Sequence, residues 1–175
     1  EMSPSRLLPP DGLDRLIDRI QREQRITYAP QQRQAVELAA ERQVMLLTGG
    51  PGTGKTTCLR GVLDLFDRMG LETALAAPTG RAAKRLGELC GTEASTIHRL
   101  LETGFDPHSG RLVFAKNSYA PLQADAVIVD ETSMVDVPLM AALLDALEGD
   151  CRLVLVGDPD QLPSVGPGNL FADLI

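Results

Sequence analysis

The sequence is short of the features that mark membrane, secreted and metal-binding proteins. None of its apolar runs approaches the length of a bilayer-spanning helix, and its N-terminus has no signal-peptide core. The three cysteines, Cys58, Cys90 and Cys151, are odd in number and share no metal-binding or redox spacing. There is no internal repeat or low-complexity tract. We therefore expect a globular protein of the cytoplasm, with no membrane partner.

The acidic net charge does not decide whether the chain binds nucleic acid. The 175 residues fit one ordinary domain, and their formal net charge is −7. The segment 78–119 nevertheless holds six basic and four acidic residues, so it is net positive. Because such a cluster is more often a solvated face than a binding surface, charge alone favours neither interpretation.

The two ends of the sequence differ from its centre. Glu1 precedes Met2, and residues 169–175 lie in an apolar stretch, so we expect further sequence on both sides. Residues 1–27 are predicted to be a linker that leads into an amphipathic helix, because apolar side chains recur there at helical spacing. The main domain is expected to occupy residues 28–175.

Strands and helices alternate along this domain, which predicts an α/β fold with a parallel sheet and helices on both faces. Apolar segments predict four core strands, at 44–48, 73–77, 126–129 and 153–156. Helices are predicted from Pro30, from Gly54 to about Met69, over 81–89, over 96–101 with Ser95 as N-cap, and from Asp136 to about Leu147. A turn signal at 106–110 predicts an inserted β-hairpin at about 105–118.

The segment that follows the first strand matches the GxxxxGK[ST] pattern of a phosphate-binding loop. Glycines allow backbone N–H groups to close around phosphates, and the next helix directs its positive end at the same anion. A glycine-rich turn that binds nothing is the alternative, which the preceding strand disfavours. The predicted nucleotide-binding residues here are Gly49, Gly50, Pro51, Gly52, Thr53, Gly54, Lys55, Thr56 and Thr57.

Three acidic or amide side chains follow the later strands. Asp130 comes directly after an apolar strand and is predicted to hold Mg²⁺ opposite Thr56, while Glu131 is placed to deprotonate the attacking water. The alternative is that the two acids only begin a turn. Gln161 follows the fourth strand, where an amide can bond both phosphate and water. Spacing alone does not separate that role from an ordinary polar loop residue.

The end of the second strand carries a basic cluster suited to phosphodiester contacts. Hydroxyl and basic side chains lie there together, and a second set follows about fifteen residues later: Thr79, Arg81, Lys84 and Arg85, then Thr96, His98 and Arg99. A lone histidine such as His98 is more often a surface or core residue than a contact. Gln32, which precedes the loop, could read the edge of adenine through paired hydrogen bonds.

Together these segments resemble the first motor domain of superfamily 1 helicases, in the RecD-like branch of exodeoxyribonuclease V alpha subunits. The resemblance runs from about residue 28 to 168. It rests on Gln32 with Ala35-Val36 and on the motif-like segments 49–56, 77–86, 95–101, 129–135 and 157–168, of which the last is the most specific.

This resemblance implies a RecA-like P-loop fold and an ATP-dependent DNA helicase of repair and recombination that moves 5′→3′. ATP and Mg²⁺ are the implied cofactors, with Lys55, Glu131 and Gln161 catalytic. Single-stranded DNA and its junctions with duplex are the implied partners, contacted by Pro78, Thr79, Arg81, Lys84, Thr96 and His98. The hairpin occupies the place of a small 1B element, the pin that splits the duplex. A second RecA-like domain with an arginine finger, absent from this sequence, and further repair subunits complete the implied set.

Two other functions are open at this stage. A P-loop switch or loader would use ATP for assembly without moving a strand, but the segment 157–168 and the hairpin favour a helicase. A non-catalytic scaffold would have no need to keep Lys55, Asp130 and Glu131 together. We expect the chain alone to bind nucleotide and hydrolyse it poorly.

Overall fold

The sheet strands end where the predicted site residues begin. The structure is a computed structural model that describes residues 10–161 and 173–174, with side chains from residue 12. Seven strands lie in this described part: β1 (Val44–Thr48), β2 (Thr73–Ala77), β3 (Ser95–Thr96), β4 (Thr103–Phe105), β5 (Leu112–Phe114), β6 (Ala126–Val129) and β7 (Arg152–Gly157). The four predicted core strands are confirmed.

Six α-helices connect these strands in the described residues. They are α1 (Pro10–Gln24), α2 (Pro30–Glu41), α3 (Lys55–Arg68), α4 (Gly80–Cys90), α5 (Ile97–Leu100) and α6 (Val137–Asp145), and a 3₁₀ helix spans Thr132–Met134. Pro30 begins α2 and the Asp136 carboxylate caps α6, as predicted. No helix that the structure describes has the length and apolarity to cross a membrane.

Five strands form one parallel sheet in the order β1-β7-β6-β2-β3. β7 lies between β1 and β6, with Thr48 level with Gly157 and Val129 level with Leu155. The carboxyl ends of β1, β7 and β6 are therefore neighbours at one edge of the sheet. That edge is where ligands bind in open α/β folds.

Two hydrophobic cores cover the two faces of this sheet. Side chains alternate between faces along a strand, so Ile128 of β6 packs in the first core, while Val127 and Val129 pack in the second. Helices α1 to α4 contribute to the first core, and α5 and α6 to the second. The predicted α/β sheet with helices on both faces is confirmed.

Helix α1 packs into the first core together with the segment beyond residue 28. Leu13, Ile17 and Ile20 are buried there. Its acidic side chains also meet Arg33 of α2, at 2.8 Å from Asp14 and 2.6 Å from Asp18. The amphipathic helix is thus present and shares the domain's core, while the division of the chain at residue 28 stays a prediction.

The predicted hairpin is present in the inserted segment. β4 and β5 pair antiparallel, with Thr103 level with Phe114 and Phe105 level with Leu112. The Asp106 carboxylate accepts hydrogen bonds from two backbone N–H groups of the connecting turn, those of His108 and Ser109. Backbone bonds from residues 115 and 116 to residues 102 and 101 fix the hairpin's base to the end of α5.

The prediction for residues 95–101 was wrong in one respect. Ser95 does not cap a helix, because Ser95 and Thr96 form the short strand β3 beside the end of β2. Thr96 is the N-cap instead, and its Oγ1 accepts a hydrogen bond of 3.1 Å from the backbone N–H of Arg99. The sheet therefore has a fifth strand that a two-residue segment could not reveal by periodicity.

Candidate nucleotide-binding site

A cavity of about 490 Å³ opens at the carboxyl edge of the sheet. It brings together residues that are up to 111 positions apart in the sequence, from Gly50 to Gln161. The residues that line it are Gly50, Pro51, Gly52, Thr53, Gly54, Lys55, Thr56, Leu59, Ala82, Arg85, Leu86, Leu89, Asp130, Glu131, Val156, Gly157, Asp158 and Gln161. The structure thus joins the phosphate loop, the acidic pair and Gln161 in one site.

The backbone of the loop adopts a conformation that requires glycine. Gly52 and Gly54 have φ angles of 74° and 83°, in the left-handed region that other residues rarely adopt. A Cβ atom on Gly54 would also collide with Nε2 of Gln32, and one on Gly49 would lie 2.5 Å from Oγ1 of Thr53. The loop is therefore a narrow cradle at the start of α3.

The Lys55 side chain is folded back onto the loop that precedes it. Its ammonium group donates a hydrogen bond to the carbonyl oxygen of Gly49, and Oγ1 of Thr53 donates to the carbonyl of Gly50 at 2.8 Å. A phosphate group in the cradle would offer Lys55 a charged acceptor, and such charge-assisted bonds are the stronger kind.

The acidic pair follows the buried strand β6. Burial raises the pKa of the Asp130 carboxyl above its ordinary value, while the Glu131 backbone N–H, the Lys55 ammonium and the Arg85 guanidinium oppose that rise. Glu131 itself has a φ angle of 53°. A side-chain residue held in this region costs free energy and is often found at functional sites.

The residues at the cavity fit a magnesium ion bound together with a nucleotide. Mg²⁺ prefers oxygen ligands and is usually held by one or two protein groups, by waters and by substrate phosphates. Thr56 supplies a hydroxyl and Asp130 a carboxylate that burial leaves short of solvent. Among the described residues, no group of three or more His, Cys, Asp or Glu side chains forms a metal cage.

Gln161 is held in place by a residue next to the acidic pair. Oγ of Ser133, on the 3₁₀ helix, donates a hydrogen bond of 3.2 Å to Oε1 of Gln161. The Gln161 backbone N–H bonds the carbonyl of Asp158, whose carboxylate is buried and accepts from the N–H of Asp160. The segment 162–168 of the predicted motif lies outside the described residues.

Three of the predicted nucleotide-binding residues do not line the cavity. Gly49 and Thr57 lie at the two ends of the loop. Gln32 sits on α2 with its amide nitrogen against Gly54, and its Oε1 accepts a 2.9 Å bond from the backbone N–H of Ala29. In this structure Gln32 caps its own helix and packs on the loop, so the reading of adenine stays a prediction.

The predicted DNA contacts lie outside the cavity. Oγ1 of Thr79 caps α4 by accepting a 3.2 Å bond from the N–H of Ala82, and Arg81 and Lys84 are exposed on that helix. The ring of His98 lies at a 36° tilt to that of Phe114, with centroids 6.4 Å apart. The DNA-binding role of these residues, of Pro78 and of Thr96 stays a prediction.

Three cavity residues were not predicted as site residues. Arg85 belongs to the basic cluster, but only its helical position shows that it faces the nucleotide side. Asp158 lies within the segment 157–161 that precedes Gln161, so its neighbours were a signal. Ser133 has no pattern of its own, and its contact with Gln161 depends on the pairing of β6 with β7.

The comparison with protein families agrees with this geometry. Residues 32–167, which span the loop, the acidic pair and Gln161, match the AAA domain family. The chain belongs to this family. Within it the sequence is RecD-like, because it is 43% identical over 160 residues to the ATP-dependent RecD2 DNA helicase of Deinococcus radiodurans, covering 91% of this chain.

A second relative and a solved structure extend the comparison. The chain is 42% identical over 168 residues to the RecBCD enzyme subunit RecD of Mycolicibacterium smegmatis, covering 83% of this chain. A structure of Pif1 helicases at forked double-stranded DNA matches 85% of the chain and 38% of that protein, at a TM-score of 0.61 and 25% identity. The chain spans 22% of the RecD2 relative and 30% of the RecD relative.

Proposed function

We propose that this chain is the first motor domain of an ATP-dependent DNA helicase that moves 5′→3′ on single-stranded DNA and unwinds duplex in repair and recombination. The observation that carries the proposal is the cavity in which the phosphate loop, Asp130, Glu131 and Gln161 meet. The names of the RecD2 and RecD relatives and of the Pif1 structure support the choice of DNA as the substrate.

In this proposal the nucleotide lies with its phosphates in the glycine cradle. Lys55 leaves the Gly49 carbonyl for the phosphate oxygens, and Thr56 and Asp130 hold Mg²⁺. The ion neutralises phosphate charge when bound. Glu131 then accepts a proton from the water that attacks the terminal phosphate, and Gln161 bonds a phosphate oxygen through its amide.

The single DNA strand is proposed to lie along α4 and the start of α5. Thr79, Arg81 and Lys84 are close together at the start of α4, and β3 places Thr96 beside the end of β2. Hydroxyl and basic groups of this kind are common phosphate contacts. The hairpin is proposed as the separating pin, because it presents Phe105 and Val113 to solvent.

Turnover is proposed to need a second RecA-like domain of the same polypeptide that supplies an arginine finger. Such a residue stabilises the charge of the transition state, so the chain alone should bind nucleotide and hydrolyse it slowly. Further repair subunits are also proposed as partners. The described cysteines are free thiols, which supports a reducing, cytoplasmic location.

The test is the ATPase activity of a polypeptide that joins this chain to the second motor domain, measured with and without a single-stranded oligonucleotide. A helicase motor should show hydrolysis that single-stranded DNA stimulates at least tenfold and that Lys55→Ala abolishes. Hydrolysis that is indifferent to DNA would contradict the proposal and favour a switch or loader.

A further inference from the structure

One face of helix α4 forms a wall of the nucleotide cavity. Its lining residues are Ala82, Arg85, Leu86 and Leu89, which recur three or four positions apart and so share a face. Arg81 and Lys84 are exposed on the same helix but do not line the cavity. Arg85 is therefore the basic residue that α4 directs at the nucleotide side.

Arg85 and Lys55 are the two cations among the residues that line the cavity. The Lys55 ammonium already donates to the Gly49 carbonyl. Within the described residues, the Arg85 guanidinium makes neither a hydrogen bond nor an ion pair shorter than 4.0 Å. A guanidinium offers five N–H donors in a planar fork that matches the oxygens of a phosphate group.

The strand order places these two cations on opposite sides of Asp130. Lys55 follows β1, Asp130 follows β6, and α4 follows β2, and β6 lies between β1 and β2 in the sheet. Both cations oppose the rise in the pKa of Asp130, which shows that both act on the same carboxylate. A phosphate chain that starts in the loop and extends toward Asp130 would present its last group to Arg85.

We propose that Arg85 binds the terminal phosphate of a nucleoside triphosphate and so selects triphosphate over diphosphate in this cavity. The proposal rests on the proposed function in one respect, because it takes the phosphate loop as the place where the nucleotide binds. A diphosphate ends closer to the loop and leaves the guanidinium without a partner. Arg85 therefore contributes to the affinity for one nucleotide and not for the other.

A purely electrostatic role would have a different signature. If Arg85 only balanced the charge of Asp130 and Glu131, its removal would change the dependence of binding on Mg²⁺ concentration. That change would be the same for triphosphate and diphosphate. Comparing the two nucleotides at saturating Mg²⁺ separates the roles.

The experiment is equilibrium binding of the imido analogue of ATP and of ADP to the chain, both at saturating Mg²⁺. Arg85→Ala should lose about 10- to 100-fold in affinity for the ATP analogue and less than about twofold for ADP, the range expected for lost charge-assisted bonds. Arg85→Lys keeps the charge but lacks the fork, so it should lie between. Arg15→Ala, which removes an exposed arginine of α1, is the matched control and should change neither affinity.

The possible failures can be told apart. Equal losses for both nucleotides, or no loss for the ATP analogue, would overturn the role of Arg85 while leaving the nucleotide site in place. A wild-type chain that binds neither nucleotide would overturn the proposed function itself. Thermal unfolding checks each variant, and if Arg85→Ala does not fold, Arg85→Gln carries the same comparison.

Discussion

The hydroxyl group of Ser133 donates a 3.2 Å hydrogen bond to Oε1 of Gln161, and thereby connects the segments that follow β6 and β7. Ser133 is 6% exposed, so the bond is sheltered from water. Because Oε1 accepts from Ser133, the Nε2 amide is the end of Gln161 that is left to donate to a phosphate oxygen. The bond thus orients the side chain that is proposed to sense the nucleotide.

Loss of this bond should slow turnover without preventing nucleotide binding. In the polypeptide with both motor domains, Ser133→Ala is expected to lower kcat of the DNA-stimulated ATPase about three- to tenfold at an unchanged KM. The expected size is that of one hydrogen bond, about 1 kcal/mol. If Ser133 acts through Gln161, the double variant with Gln161→Ala should be no slower than Gln161→Ala alone. Losses that multiply would show that the two residues act independently.

The close contact between Gly54 and Gln32 predicts a specific pattern of stability. Gly54→Ala should lower the free energy of unfolding by about 1–2 kcal/mol or more, because the residue has a left-handed conformation and its Cβ would collide with Gln32. Adding Gln32→Ala removes the collision and should restore part of the loss. Gly50→Ala has no atom within 4 Å of its Cβ and is the matched control in the same loop. Denaturant unfolding measures all three, and equal losses for Gly54→Ala and Gly50→Ala would refute this explanation.

Glu131 should be required for hydrolysis but not for binding. Glu131→Gln keeps the size and the backbone conformation of the residue, so stability and affinity for Mg–ATP should stay close to those of the wild type. The amide cannot accept the proton of the attacking water, and kcat should fall at least a hundredfold, at the lower end of the contribution of a general base. Single-turnover hydrolysis in the two-domain polypeptide is the measurement, and near-normal turnover would remove Glu131 from the mechanism.

The hairpin predicts a separation between unwinding and hydrolysis. Phe105 is 72% exposed, so Phe105→Ala should change the free energy of unfolding by less than about 0.5 kcal/mol. If the hairpin is the pin, strand separation of a forked duplex should fall several-fold while DNA-stimulated ATPase persists. Leu144→Ala, at an exposed apolar position of α6, is the control. Unwinding that survives Phe105→Ala and deletion of residues 106–116 would exclude a wedge role.

Much of the fold could be predicted because local patterns and tertiary packing agree. Strands such as β6 are buried on both faces, and their uninterrupted apolar, β-branched composition reports that burial directly. The ends of the helices were also predictable, because Pro30 and Asp136 have capping chemistry that is visible in the sequence. β3 was not predictable, because two residues have no periodicity and their pairing depends on the end of β2.

The same distinction applies to the candidate site. The loop, Asp130 and Glu131 follow strands directly, so the rule that ligands bind at strand ends was enough to place them together. Arg85 and Ser133 reach the site through the packing of α4 and the pairing of neighbouring strands, which no local pattern records. The cap formed by Gln32 was missed for a similar reason, since its partner is a backbone group of the residue that precedes its own helix.

The central claim is that the cavity holds a nucleoside triphosphate through Lys55, and direct binding to the chain tests it most simply. Titration with Mg–ATP should show a single site in the wild-type chain. Lys55→Ala should lose at least tenfold in affinity with an unchanged unfolding midpoint, because Lys55 bonds only the Gly49 carbonyl in the described structure. Equal affinity in the two proteins, or no binding by a folded wild-type chain, would contradict the account.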